Sequence, residues 1–265
     1  MTKADAPPPE ITAEQLTGLL REREAAIQTM KGLFRAQIQG PGIPIAQRVE
    51  GAMFYRRPDV LRLQGFNRVG GELFEFMLGA DLYRLRLPAG QVYTGHAGEL
   101  ERMGNVAQPF RLSVLAVSGV IGIPAIAEQE RAVLSMDGDR YRLDVFSDSS
   151  SYAGASGPFR RIWFDRRSLQ VVQEDRLAGA GEVQATVQFD DYRPVESPAV
   201  GGSVPTANPS TMGALVKPFR ITAQDGSGKG VLFLTFHEMV PNVPLKPEEL
   251  KLTGGKGTVM AYLDR

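Results

Sequence analysis

In the stretch LYRLRLP, residues 82–88, Tyr83, Leu85 and Leu87 alternate with Arg84 and Arg86. Successive side chains on a strand point to opposite faces, so this segment belongs to a sheet with one face buried and the other wet. The pattern recurs along most of the chain, divided by turn residues. GLFRAQIQ runs into Pro41-Gly42, QRVEGAMFYR into Arg57-Pro58-Asp59, and VLRLQGF into Gly70-Gly71. ELFEFMLG places Phe74, Phe76 and Leu78 on one face. RAVLSMDGDRYRLDVF reads as a hairpin whose Asp137-Gly138 suits the positive φ angles of a tight turn. FRRIWFD and LQVVQEDRLA form another, and in EVQATVQFDDY Val183, Ala185, Val187 and Phe189 alternate with polar residues. KPFRITAQDG, GVLFLTFHEMV and GTVMAYLD complete the series. About ten or eleven strands in meander order make a sheet wide enough to curl. The expected fold is mainly β with a few helices (α+β), a curved antiparallel half-barrel covered by an N-terminal helix and a helical insertion.

The N-terminal helix has a start signal. Thr12 followed by Ala13, Glu14 and Gln15 is a capping-box pattern, and Leu16, Leu19, Leu20, Ile27 and Met30 recur at helical spacing. This predicts a helix from 13 to 31. Residues 97–130 interrupt the strand rhythm, and short helices are expected there. Within them LSVLAVSGVIGIPAIA, residues 112–127, is uncharged and broken by Gly119, Gly122 and Pro124. It falls short of the roughly 20 residues that span a bilayer, so no membrane span is expected. A buried helix pair and a movable lid both fit this segment. Residues 1–11, with Pro7 to Pro9, read as a tether, and 12–265 as a single domain with a loop at 194–211.

Composition removes several functions. The 30 Lys and Arg balance the 30 Asp and Glu, with no basic block, which argues against nucleic acid as a partner. There is no cysteine, hence no disulfide, thiolate nucleophile or cysteine-held metal. MTKADAPPPE has no apolar signal core, and any lipid anchor would lie upstream of this sequence.

Catalytic motifs are also missing. GSGKG at 226–230 and GGKGT at 254–258 lack the glycine spacing and the Ser or Thr of a phosphate loop, and read as hairpin turns. His96 and His237 are the only histidines and read as structural. GASG at 154–157 has the wrong spacing for a nucleophile elbow. Asp137 and Asp139 flank a hairpin glycine without the other ligands of a calcium loop, and Asp190-Asp191 and Glu248-Glu249 read as solvated pairs. The expectation is therefore no catalytic residue, no metal and no cofactor.

YRRPDVLRL, with the order of elements around it, resembles the bacterial lipoprotein carriers and receptors of the LolA and LolB type. The family phrase falls on Gly51, Phe54, Arg57, Pro58, Asp59, Leu61 and Arg62, and QPFRLSVLAVSG stands where the family has a helical insertion. The resemblance covers roughly 12–263, with extra material around 194–211 and 241–256. It implies a half-barrel whose apolar cavity takes the acyl chains of a lipid or lipoprotein in the periplasm or at the periplasmic face of the outer membrane. The cavity would be lined by Phe54, Leu61, Leu63, Phe74, Phe76, Leu78, Leu85 and Leu87. The lid would carry Leu112, Val114, Leu115, Val117 and Ile121, and Arg57 would be the gate that bonds to it. The residues agree with this. A buried methylene is worth about 0.8 kcal/mol, so acyl binding needs no polar signature, and nine methionines suit variable cargo. Two other readings fit the same fold. One is a non-catalytic envelope sensor or assembly factor with a filled interior and a protein partner. The other is an enzyme, since fold does not fix function.

Overall fold

The computed structural model describes residues 11–40, 43–97, 104–121, 126–147, 157–178, 181–196, 215–250 and 259–261. All but Ile11 of the expected tether, and most of the 194–211 loop, lie outside these residues.

The first helix, α1 (Ala13–Ala25), begins where its signal stands. Thr12 Oγ1 accepts from the Gln15 N–H and Gln15 Oε1 accepts from the Thr12 N–H at 2.9 Å, closing the capping box. It ends earlier than 31. Asn242 donates to the Ala26 carbonyl and accepts from the Gln28 N–H, both at 2.9 Å, and turns the chain out of the helix. Ile27 and Met30 are buried all the same, one in the turn and the other in the first strand.

That strand, β1 (Thr29–Gly40), starts a meander through β2 (Ile43–Arg56), β3 (Val60–Phe66), β4 (Glu72–Gly79), β5 (Leu82–Arg86) and β6 (Gln91–His96). A single helix, α2 (Gly104–Ile121), comes next. A second meander then runs through β7 (Glu130–Asp137), β8 (Arg140–Ser147), β9 (Arg160–Asp165), β10 (Val171–Leu177), β11 (Val183–Val195), β12 (Leu215–Asp225) and β13 (Val231–Pro241). β13 pairs antiparallel with β1, from Met30 opposite Pro241 to Gln39 opposite Val231. All thirteen strands therefore share one open antiparallel sheet, and a short β14 (Val259–Ala261) adds to β6 in parallel.

The sheet is wider than the ten or eleven strands expected. β6 is the strand that the alternation did not announce, because Pro88 and Gly90 make a tight turn and the chain resumes pairing after it. The expected hairpins at Asp137-Gly138 and at 226–230 are present, with Gly138 at φ 61° and Gly228 at φ 71°.

The expected short helices are one helix of 18 residues that runs through Gly119 without a break. Gly119 serves packing here. A Cβ at this position would stand 2.1 Å from Cε1 of Phe189, so the missing side chain is what lets α2 lie on β11. On the strands beneath, alternation decides what is covered: Ala185, Val187 and Phe189 are buried, whereas Thr186 and Gln188 between them are not.

The opposite sheet face has its own cover. Glu75 is fully buried and accepts from Arg62 Nε at 2.8 Å and from Arg86 Nη2 at 2.7 Å, while Arg86 also pairs with Glu72. Arg62 Nη1 donates to the carbonyls of Glu248 and Glu249 in a 3-10 turn at Pro247–Leu250, fastening the C-terminal segment over β2 and β3. This places part of the extra 241–256 material.

Gly119→Ala is expected to lower stability by about 1–3 kcal/mol, the usual cost of overpacking, measured as a shift of the urea midpoint. Phe189→Leu in the same chain should recover part of the loss.

Candidate functional site

β4 sends Phe74 and Phe76 toward α2 and Glu75 away from it, and Arg62 and Arg86 hold Glu75 in that direction. Phe110 of α2 meets both rings. It packs edge-on to Phe74 at a centroid distance of 5.1 Å and stacks on Phe76 at 5.9 Å with 16° between planes. Phe76 in turn stacks on Tyr83 of β5 at 6.4 Å. Aromatic pairs of this kind contribute about 0.5–1.5 kcal/mol each beyond the area they bury. They seat one part of α2 over β4. The other end lies over β11 and β12, through Gly119 against Phe189 and through Lys217, whose Nζ donates to the Ile121 carbonyl at 2.7 Å.

The expected cavity residues occupy this seat, with one exception. Leu61, Leu63, Phe76 and Leu85 are buried, and Phe74, Leu78 and Leu87 pack partly buried against the same apolar cluster. Phe54 is on the other face. It pairs opposite Arg62, whose guanidinium lies 5.8 Å from its ring centroid, while its neighbours Met53 and Tyr55 point inward. The expected lid residues all lie on α2. Leu112, Val117 and Ile121 are buried, and Val114 and Leu115 pack on the cluster from its margin.

Arg57, expected to bond to the lid, bonds to α1. Its Nη1 donates to the Glu24 carbonyl at 2.8 Å and its backbone N–H to the Gln28 carbonyl at the same distance. The guanidinium thus adds a charge-assisted bond to a last-turn carbonyl that also accepts from the Ile27 N–H at 3.3 Å, and positive charge there suits the helix dipole.

Lys217 carries no signal in the sequence. It is only 4% exposed, and among the described residues its one hydrogen bond is to Ile121, with no carboxylate beside it. Burial, and secondarily the charge of Arg23, lowers its pKa from 10.5 to about 7. Arg23 of α1 donates to the Leu169 carbonyl at 2.7 Å, and burial lowers its pKa also. Tyr192 donates its hydroxyl proton to the Val171 carbonyl, and burial raises its pKa. These three groups, with Leu20, Gly119 and Val171, line a cavity of about 30 Å³. That is room for one or two waters and not for an acyl chain.

A second depression, about 640 Å³ and open to solvent, lies by the β3–β4 turn between Arg48, Arg68 and Val69. Val69 is 91% exposed. His96 is 3.4 Å from Asp81, and His237 is 3.9 Å from Glu50, both exposed. Among the described residues no group of three or more His, Cys, Asp or Glu is placed to hold a metal ion, and no helix is long and apolar enough to cross a membrane.

No protein-family model and no curated protein matches the chain in sequence. Solved structures match its architecture. A domain described as outer membrane lipoprotein-sorting, from Vibrio parahaemolyticus, superposes with a TM-score of 0.58 at 13% identity, covering 90% of this chain and 97% of its own. A LolA superfamily protein from Nitrosomonas europaea gives 0.57 at 9% identity over 92% of this chain and 99% of its own. A DUF1329 family protein from Desulfovibrio piger gives 0.60 at 9% identity over 91% and 98%. The chain has the fold of the LolA superfamily and of outer-membrane lipoprotein-sorting domains.

Arg57→Leu should leave the sheet intact by circular dichroism and cost about 1–2 kcal/mol, the scale of one charge-assisted hydrogen bond. Hydrogen exchange at amides 24–28 should be faster. Between about pH 7 and pH 10 the unfolded chain carries a proton on Lys217 that the folded chain has lost, so stability rises with pH over this window. Urea titrations across that range should show the rise, flattened in Lys217→Met.

Proposed function

We propose that the protein binds the acyl chains of a lipid or lipoprotein in the bacterial cell envelope, on the sheet face that α2 covers. The observation that carries this is the seat of α2. Leu63, Phe76 and Leu85 on the sheet meet Phe110, Leu112 and Val117 on the helix, a dry surface built of hydrocarbon on both sides. An acyl chain offers the sheet the same chemistry as the underside of the helix. Exchanging one for the other keeps the face dry, with each buried methylene worth about 0.8 kcal/mol.

A bent sheet, as in a half-barrel, is supported by the reach of α2. From Phe110 over β4 to Ile121 over β12 the helix advances about 16 Å. The same interval is five strand spacings in the sheet order, about 24 Å if flat. The fold and the acyl site together favour the periplasm or the periplasmic face of the outer membrane. Val69 at an exposed turn, beside Arg68 and Arg48, suits contact with an anionic lipid surface. Arg57 acts indirectly in this reading, by fixing α1 at the margin of the same apolar cluster. No catalytic group takes part.

The close packing of α2 favours a second reading, in which the fold is a non-catalytic sensor or assembly factor that binds a protein partner.

Solvent extraction and mass spectrometry of the purified protein should recover phospholipid or lipopeptide. Phe110→Ala, which removes the rings' contact across the seat, should take up a fluorescent acyl probe faster than the parent chain. A lipid-free extract together with no probe uptake by either chain would overturn the acyl reading in favour of the protein-partner one.

A further inference from the structure

We propose that the cavity where α1, α2 and β12 meet is a carboxylate site, and that its occupant is the head group of a long-chain fatty acid. The inference rests on the acyl-binding reading and specifies its ligand.

Two cations from different elements line this small space, Arg23 from α1 and Lys217 from β12. Lys217 is buried and Arg23 half-buried, and charges withdrawn from water are normally paired with opposite charge. Here both rest on carbonyl oxygens, Leu169 for Arg23 and Ile121 for Lys217, with no carboxylate bonded to either among the described residues. Two helix C-termini account for part of this arrangement, that of α2 for Lys217 and that of α1, whose last turn carries it, for Arg23. Each end carries only about half a negative charge, so the pair keeps net positive charge. An ammonium has three N–H donors and a guanidinium five, so each cation keeps donors beyond the single bond it makes to a carbonyl. Tyr192, the third group at the cavity, has committed its proton to Val171 and adds no donor.

Size narrows the anion. About 30 Å³ suits the two oxygens of a carboxylate and is too small for a phosphodiester head group. The planar fork of Arg23 matches a carboxylate in shape as well as charge. Leu20, Val171 and Val216 supply apolar wall beside the cations. Gly119 lines the cavity and is also where α2 touches Phe189. An aliphatic tail leaving the carboxylate would therefore enter the interface between α2 and the sheet, the surface assigned to acyl chains.

The test compares oleate with oleyl alcohol, which has the same chain and no charge, by displacement of a neutral acyl probe. The parent chain should bind oleate about tenfold or more tightly than the alcohol, the scale of a buried charge-assisted hydrogen bond. Lys217→Gln keeps a donor for Ile121, and Arg23→Gln keeps one for Leu169. Each should bring oleate down to the affinity of the alcohol measured on the same variant. Acetate should displace nothing, and displacement by acetate would overturn the fatty acid as occupant. Equal affinity of the parent chain for oleate and the alcohol would overturn the carboxylate site while leaving the acyl surface standing. Binding of neither would overturn both.

Discussion

The pairing of β1 with β13 dictates the path of the whole chain. It joins the start of one meander to the end of the other in the middle of the sheet. The first meander must then finish at β6 on one side, and the second must begin at β7, the far edge. The chain between them has to cross, and α2 lies in that segment with contacts to both halves. A crossing element over an alternating sheet meets an apolar surface and has to be apolar beneath. The long uncharged run at 112–127 is thus a consequence of topology before it is a sign of function.

Charge is met by charge on both sheet faces. On the face away from α2, Arg62 and Arg86 meet Glu75 and Glu72, two cations against two anions. Burying one member of such a set alone would cost several kcal/mol, so pairing is what permits their burial. The network also acts across the sheet. Because it holds Glu75 outward, the residues on either side of it, Phe74 and Phe76, present their rings to Phe110. On the inner face Arg160 likewise meets Glu174 at 2.8 Å, whereas Lys217 and Arg23 rest on carbonyls.

Alternation made Leu61, Leu63, Phe76 and Leu85 legible as one buried face, because each adjoins a charged residue that settles its parity. Phe54 was not settled. It sits in the apolar run Met53-Phe54-Tyr55, where either Phe54 or its two neighbours could face inward, and only pairing with β3 decides between them. Met30 extended the helical spacing of α1 because the first inward residue of a strand can coincide with the next turn of a helix stripe. Gly119 read as a breaker because the sequence does not show Phe189 lying across it. Lys217 stands between Val216 and Pro218-Phe219, and a lone lysine in an apolar strand carries no local mark of whether it reaches water. The Arg-Pro turn was visible, but the partner of Arg57 was not, since α1 comes to it from 33 residues away.

Whether α2 stays on the sheet or yields to an acyl chain is a comparison of similar quantities. Fully burying a side chain such as Leu, Val or Phe is worth about 1.5–3 kcal/mol, so Phe110, Leu112, Val117 and Val120 together hold the helix down by about 6–12 kcal/mol. An acyl chain of about 14 methylenes gains about 11 kcal/mol on the same face at 0.8 kcal/mol per group. Neither hydrocarbon excludes the other by its own burial. The balance then passes to the few polar bonds at the helix ends, each worth on the order of 1–2 kcal/mol. Lys217 on the last carbonyl of α2 belongs to this class, as does Arg57 on the last turn of α1. A ligand that draws Lys217 away from Ile121 would loosen the helix at the point where its own chain must enter.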